Sequence, residues 1–209
     1  MPASAVPNRW EKDIAAFEAA DMNTPPPKKA VVFVGSSSIR MWDLAASIPL
    51  VSFIKRGFGG AQISDVVLFA DRIITKYDPA AVVVYVGGVD IGRGRKAGAV
   101  YKDFLALCDR IHAKRKNTPI LYVSIKPSFK KWDTWPEAKK ANSLIRQHAA
   151  ETSFVQYVDI VPVTLGDDGQ PKPEIFRKDG GHLNAAGYHA WTKVLEPALK
   201  SALRASGEN

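Results

Sequence analysis

The chain has 209 residues, of which 46% are hydrophobic and 24% charged, a length and balance that suit one globular domain and exclude disordered, collagen-like and coiled-coil classes. Its longest apolar run, positions 80–86, is far shorter than the roughly 18 residues a membrane span needs, and its single cysteine, Cys108, excludes an intrachain disulfide and a cysteine-built zinc site. The formal net charge is +8, and positions 93–131 carry eleven lysines and arginines against Asp103 and Asp109 alone. Such a surplus raises the question of an acidic partner, nucleic acid or an anionic membrane surface. A solvated helix face with its flanking loops accounts for it more simply, so no nucleic-acid partner is expected. No basic-then-apolar leader opens the chain, and the small-residue, Pro-rich start at 1–7 fits a cytoplasmic protein and a trimmed exported one equally. Oligomeric state is not legible.

In chain order, Asn8 with Glu11 reads as a capping box opening a helix with Trp10, Ile14 and Phe17 inward, which the run Thr24-Pro25-Pro26-Pro27 ends. This helix and Pro-rich connector, 1–29, precede the first strand, and no internal repeat divides the remainder of the chain, so 1–209 is read as a single domain. Strands are predicted at 30–34, 51–55, 81–86, 120–125 and 154–158. The third, AVVVYV, is apolar on both faces, as a central parallel strand is. Between strands, Val66, Phe69, Ala70, Ile73 and Tyr77 keep a helical period, as do Val100, Phe104, Leu107, Cys108 and Ile111. Pro136 suits the first turn of a helix with Leu144, Ile145 and His148 on one face. Asn184 suits the cap of a last helix burying Tyr188, Trp191, Leu195 and Leu199, kinked at Pro197. Strands alternating with helices predict an α/β fold, a three-layer α/β/α sandwich around a five-stranded parallel sheet.

Ligands of open parallel sheets bind beyond the carboxyl ends of the strands. After the first strand comes Gly35-Ser36-Ser37-Ser38-Ile39-Arg40, where three readings stay open: a nucleophilic serine, ordinary serine N-caps, or a phosphate cradle at a helix N-terminus. After the second comes Arg56-Gly57-Phe58-Gly59-Gly60-Ala61, a loop able to turn backbone N–H groups toward the same place, and after the third Gly87-Gly88-Val89-Asp90. Neither a GxxxxGK[ST] nor a GxGxxG pattern occurs, which weakens a nucleotide reading. Near the far end, Asp179-Gly180-Gly181-His182 spaces a carboxylate to orient an imidazole as general base. With Ser37 it supplies nucleophile, base and orienter. Trp132 and Trp135 sit in a Lys-rich loop where they either stack a substrate ring or pack in the core. His112, His148 and His189 lack a second ligand at metal spacing, and Asp167-Asp168-Gly169 reads as a turn, so no metal is proposed.

These blocks resemble the SGNH hydrolases, or GDSL-type esterases, over nearly the whole chain. VVFVGSSSIRMW is similar to that family's first block with GSSS in place of GDSL, RGFGGAQISDV to its second and FRKDGGHLNAAGYHAW to its last. The resemblance implies a flavodoxin-like sandwich, Ser37 as nucleophile, His182 as base, Asp179 as its partner, and an oxyanion hole built from the N–H groups of Ser37 and Gly60. It further implies a cofactor-free esterase acting on short acyl esters, small molecules or acetylated carbohydrate. The third block departs from the pattern: the family has GxND, with the Asn side chain as an oxyanion donor, and here Val89 takes that position. Three accounts stay open: an oxyanion hole in which Gly88 or Asp90 substitutes, a carbohydrate- or lipid-headgroup-binding protein without turnover, and a residue introduced by design.

Overall fold

A computed structural model describes residues 9–205; Asn8, one half of the expected capping box, lies outside them. The elements are α1 (Glu11–Asn23), β1 (Val31–Gly35), α2 (Ser37–Met41), α3 (Leu44–Ser47), β2 (Phe53–Gly57), α4 (Ile63–Ile73), β3 (Ala81–Tyr85), α5 (Gly88–Gly92), α6 (Ala97–His112), β4 (Ile120–Val123), α7 (Trp135–Glu151), β5 (Val155–Val158), α8 (Val161–Thr164) and α9 (Ala185–Ala205). All strand pairs are parallel and the order is β2-β1-β3-β4-β5.

Strand alternation sorts the core into two layers. Val32, Val34, Val82, Val84, Ile120 and Tyr122 face the helices α1, α4, α6 and α7, whereas Val31, Phe33, Val83, Tyr85, Leu121 and Val123 face α2, α3 and α9. β1 and β3 are buried along their whole length, which explains their near-continuous apolar sequence. On the α9 side, Trp42 lies stacked on Tyr188 at 5.4 Å and edge-on to Trp191 at 5.7 Å between ring centroids.

Helix α1 is amphipathic only weakly, and polar contacts tie it down. Arg56 of β2, buried, donates to Asp21 and through Nε to the Tyr77 hydroxyl at 2.9 Å, and Tyr77 in turn donates to Asp21 at 2.5 Å. Glu11 accepts from Arg72 of α4 at 2.9 Å, an ion pair that ties α1 to α4.

Other departures have local causes. β2 begins at Phe53, two residues later than expected, because Val51 N–H closes a turn onto Ile48 O at 3.0 Å. β4 ends at Val123, since the backbone of Ile125 pairs with the Asn142 side-chain amide through two 2.9 Å hydrogen bonds and leaves the ladder. Tyr77 falls in a short 3₁₀ turn beyond α4. The last helix runs unbroken past Pro197, an exposed position one turn after exposed Lys193, so the carbonyl freed by the missing N–H faces water.

Two glycines make opposite predictions. A Cβ on Gly57 would lie 2.2 Å from the Arg40 backbone nitrogen, where β2 and α2 cross with no flexible atom between them. Gly98 sits exposed in α6 with nothing within 4 Å. Urea unfolding is expected to show Gly57→Ala destabilised by about 3 kcal/mol or more. Gly98→Ala is expected to gain a few tenths to about 1 kcal/mol.

Candidate active site

Chain connections leave β1 toward β2 and return past it to β3, so the carboxyl ends of β1 and β3 form a switch point with open space between the departing loops. Gly35 must bring β1 off the sheet there. Its φ is +151°, and a Cβ would lie 1.9 Å from Tyr85 O, so only glycine allows Ser36 N–H to reach that carbonyl at 3.3 Å. Ser37 then starts α2, and the buried Tyr188 hydroxyl of α9 donates to Ser38 O at 2.8 Å, pinning the turn from a neighbouring helix of the same layer.

The histidine comes from a loop built for one conformation. Gly180 N–H bonds Arg177 O at 2.9 Å and Arg177 N–H bonds His182 O at 2.8 Å, with Gly180 at φ +63°. Asn184 follows, accepting from Gly187 N–H at 3.1 Å as the expected cap of α9 while its amide donates to Glu174 O at 2.7 Å. Within the loop, Asp179 Oδ1 accepts from the N–H groups of Gly181 and His182, both at 2.9 Å, and Oδ2 meets His182 Nδ1 at 2.5 Å. Three hydrogen bonds to the ionised carboxylate, the one from the imidazole foremost, hold Asp179 well below the usual carboxylate range. The other ring nitrogen, Nε2, lies 2.9 Å from Ser37 Oγ.

Thus Ser37, His182 and Asp179 meet in a line. The carboxylate at Nδ1 keeps the proton on that nitrogen and leaves Nε2 to accept from the serine hydroxyl, the arrangement that activates a serine for attack on an acyl carbon. The N-cap position of α2, Ser36, makes no side-chain capping bond, so these serines do not serve as ordinary caps.

A cleft of about 390 Å³ opens over Ser37 and His182, lined also by Gly59, Gly60 and Val89. Ser37 N–H is the first of α2, where no intrahelical acceptor exists, and Gly60, at φ +85°, carries its N–H on the loop after β2. Val89, in α5, offers the cleft an apolar side chain. Asp90 does not reach the cleft. It is fully buried, accepting from Ile63 N–H at 3.3 Å and Arg95 at 3.1 Å, and desolvation raises its pKa. It joins α5 to the start of α4, which leaves Gly88, a cleft-lining residue, as the remaining candidate to take over from an Asn side chain.

Trp135, buried, contributes to the cleft wall, whereas Trp132 packs partly buried against the sheet core and is absent from the lining. His148 is enclosed by Tyr101, Phe104 and Phe154, and His112 bonds Thr118 O at 3.0 Å. Among the described residues no group of three His, Cys, Asp or Glu side chains is placed to hold a metal, and no helix is long and apolar enough to cross a membrane.

The residues not singled out from sequence are two lysines. Lys126, just beyond β4, extends into the cleft and donates to the Tyr85 hydroxyl at 3.1 Å and Ser38 Oγ at 3.4 Å. Lys131 donates to Gly88 O at 2.5 Å. Burial pulls Lys126 down to about 8, and burial with the repulsion of Lys126 pulls Lys131 down to about 8. The rule that ligands lie beyond strand ends marks Lys126 as surely as it marks Ser37.

The sequence profile of the GDSL-like lipase/acylhydrolase family matches residues 37–190, which hold Ser37, Asp179 and His182 together. The chain belongs to the GDSL-like lipase/acylhydrolase family. Solved structures similar to this GDSL-like chain include a GDSL-like lipase from Bacteroides thetaiotaomicron, 16% identical, covering 91% of this chain and 98% of that one with a TM-score of 0.80. A carbohydrate esterase family 3 structure from Talaromyces cellulolyticus is 18% identical, covering 84% of this chain and 98% of that one at TM-score 0.67. A family 3 carbohydrate esterase from Clostridium thermocellum is 16% identical, with 86% and 98% covered, at TM-score 0.66. At these identities the likeness is one of fold, the α/β/α sandwich of GDSL-like hydrolases. No curated protein matches the chain in sequence.

In this GDSL-like chain Lys126 also makes stability depend on pH. Folded Lys126 releases its proton near pH 8, below the ordinary 10.5 that it keeps when unfolded, so the unfolded chain binds more protons in between and stability rises with pH there. Lys126→Met is expected to raise Tm at pH 7, with an advantage that shrinks by pH 9. A lower Tm at pH 7, or an advantage independent of pH, contradicts the assignment.

Proposed function

We propose that the chain hydrolyses short-chain carboxylic esters through an acyl-enzyme on Ser37. Ser37 Oγ bonds to the acyl carbon while its proton passes to His182 Nε2. Collapse of the tetrahedral intermediate breaks the ester C–O bond, and His182 returns the proton to the leaving alkoxide. Water, deprotonated by the same imidazole, then cleaves the acyl-serine bond. Asp179 keeps the ring oriented and stabilises the imidazolium, and the N–H groups of Ser37 and Gly60 hold the oxyanion. No cofactor enters these steps.

The observation that carries this reading is the Ser37–His182–Asp179 line, with its 2.9 Å and 2.5 Å contacts. The small cleft favours short acyl groups, and the carbohydrate esterases of the same fold favour acetylated carbohydrate as the alcohol part. Val89 supplies no third oxyanion donor, so turnover is expected to be about 10² to 10³ slower than with an asparagine there. The same valine is the specific observation behind a second reading, a carbohydrate- or lipid-headgroup-binding protein of reduced catalytic power.

Hydrolysis of 4-nitrophenyl acetate separates the two. The native chain is expected to turn it over, Ser37→Ala to fall to the buffer rate, and Val89→Asn to rise by about 10². Equal rates for native and Ser37→Ala overturn the mechanism. Absence of Ser37-dependent turnover in both the native chain and Val89→Asn, with all variants folded, favours the binding protein.

A further inference from the structure

The wall of the cleft is charged in one sense. Arg40, Lys126, Lys130 and Lys131 line it, and none of its lining residues is an aspartate or glutamate. Of the other cations of the basic stretch 93–131, Arg95 pairs with Asp90 and Asp103, Arg110 and Lys114 with Asp71, and Arg115 with Asp78, while Arg93, Lys96, Lys102, Lys116 and Lys130 are exposed to solvent. Lys126 and Lys131 differ. Neither has a carboxylate within salt-bridge distance among the described residues, and their partners are neutral oxygens, those of Tyr85, Ser38 and Gly88.

An ammonium drawn out of water with no carboxylate at ion-pair distance is costly, and two that repel each other cost more; Asp179 attracts Lys126 and Asp90 attracts Lys131 only from farther off, and burial outweighs both. Lys126, half-buried, also lies against two rings, 5.3 Å from the centroid of Tyr85 and 5.7 Å from that of Trp191, so its charge sits on an apolar shelf in the cleft wall. An ammonium has three N–H groups. Lys126 spends two on the protein and Lys131 one, which leaves both with donors to give to a ligand beside Ser37. Neutral sugar hydroxyls would need only neutral partners. A carboxylate or phosphate supplies what the two lysines lack.

We propose that the ester processed at Ser37 carries a carboxylate or phosphate, and that Lys126 and Lys131 together hold this anion in the cleft. The proposal rests on the esterase reading of Ser37 and narrows its substrate class to acidic esters, an acetylated acidic sugar being one form that meets both. Arg40 and Lys130, at the exposed edge of the cleft, draw such a substrate in without specifying it.

Two matched pairs of esters test this and locate the charge. Mono(4-nitrophenyl) adipate, whose chain is too long to expel nitrophenolate through a five-membered anhydride, against its methyl ester places the charge on the acyl side, and 4-acetoxybenzoate against methyl 4-acetoxybenzoate places it on the alcohol side. At pH 7 and low salt, kcat/KM is expected to favour the charged member of at least one pair by about 10-fold, and this ratio is expected to collapse in Lys126→Met and in Lys131→Met. The same four esters are titrated calorimetrically into Ser37→Ala, alone and combined with each lysine variant, where turnover plays no part. A charge preference in binding that either lysine variant removes supports the anion site even if no ester is hydrolysed, an outcome that overturns the esterase reading alone. Ser37-dependent hydrolysis with ratios near one in both pairs, unchanged by Lys126→Met and Lys131→Met, overturns the anion site and leaves the esterase reading standing.

Discussion

The hydrogen bond between Ser37 Oγ and His182 Nε2 closes 145 positions of chain over 2.9 Å, and the structure around the site is arranged to keep that distance. One end is set by the sheet. Gly35 lets β1 end against Tyr85 O, so that α2 starts at a fixed point over the switch between β1 and β3. The other end is set by the loop 177–182, which satisfies its own backbone and seats Asp179 behind the imidazole. Tyr188 joins the two, since α9 carries the hydroxyl that binds Ser38 O and begins only three residues after His182. A rigid scaffold with the reactive groups on its loops is the division of labour expected of such a site.

Much of this is legible in the order of residues. Strand positions follow from short apolar runs, and their parallel pairing from the helical periods between them. The acid–base pair follows from the Asp179 and His182 spacing, and its link to Ser37 from the rule that strand ends converge. The features that local patterns miss are set by tertiary competition. Asn142 captures the Ile125 backbone and shortens β4. Asp90, adjacent to Val89, is drawn inward to the start of α4, a pairing across 27 positions that no local pattern announces.

The basic stretch is the clearest case of a composition divided by the fold. Arg95, Arg110 and Arg115, on and around α6, find aspartates on α4, α5, α6 and the turn before β3, while Lys126 and Lys131, farther along the chain, are carried to the cleft. Sequence charge counting treats these cations alike. Burial does not, because a lysine's energy depends on what replaces its water. The excess positive charge of the chain therefore has a small component of chemical meaning, located beside the serine, and a larger one on solvent-exposed side chains such as Lys96, Lys102 and Lys116.

The central claim is that Ser37 is the group activated by His182 and Asp179. The most direct measurement is active-site labelling with a fluorophosphonate, read by intact mass and peptide mapping of the native chain, Ser37→Ala and His182→Ala. The account predicts one adduct per chain on the peptide holding Ser37, none in Ser37→Ala, and labelling slowed by about 10² or more in His182→Ala. An adduct elsewhere, or labelling of Ser37 at the same rate without His182, would contradict it.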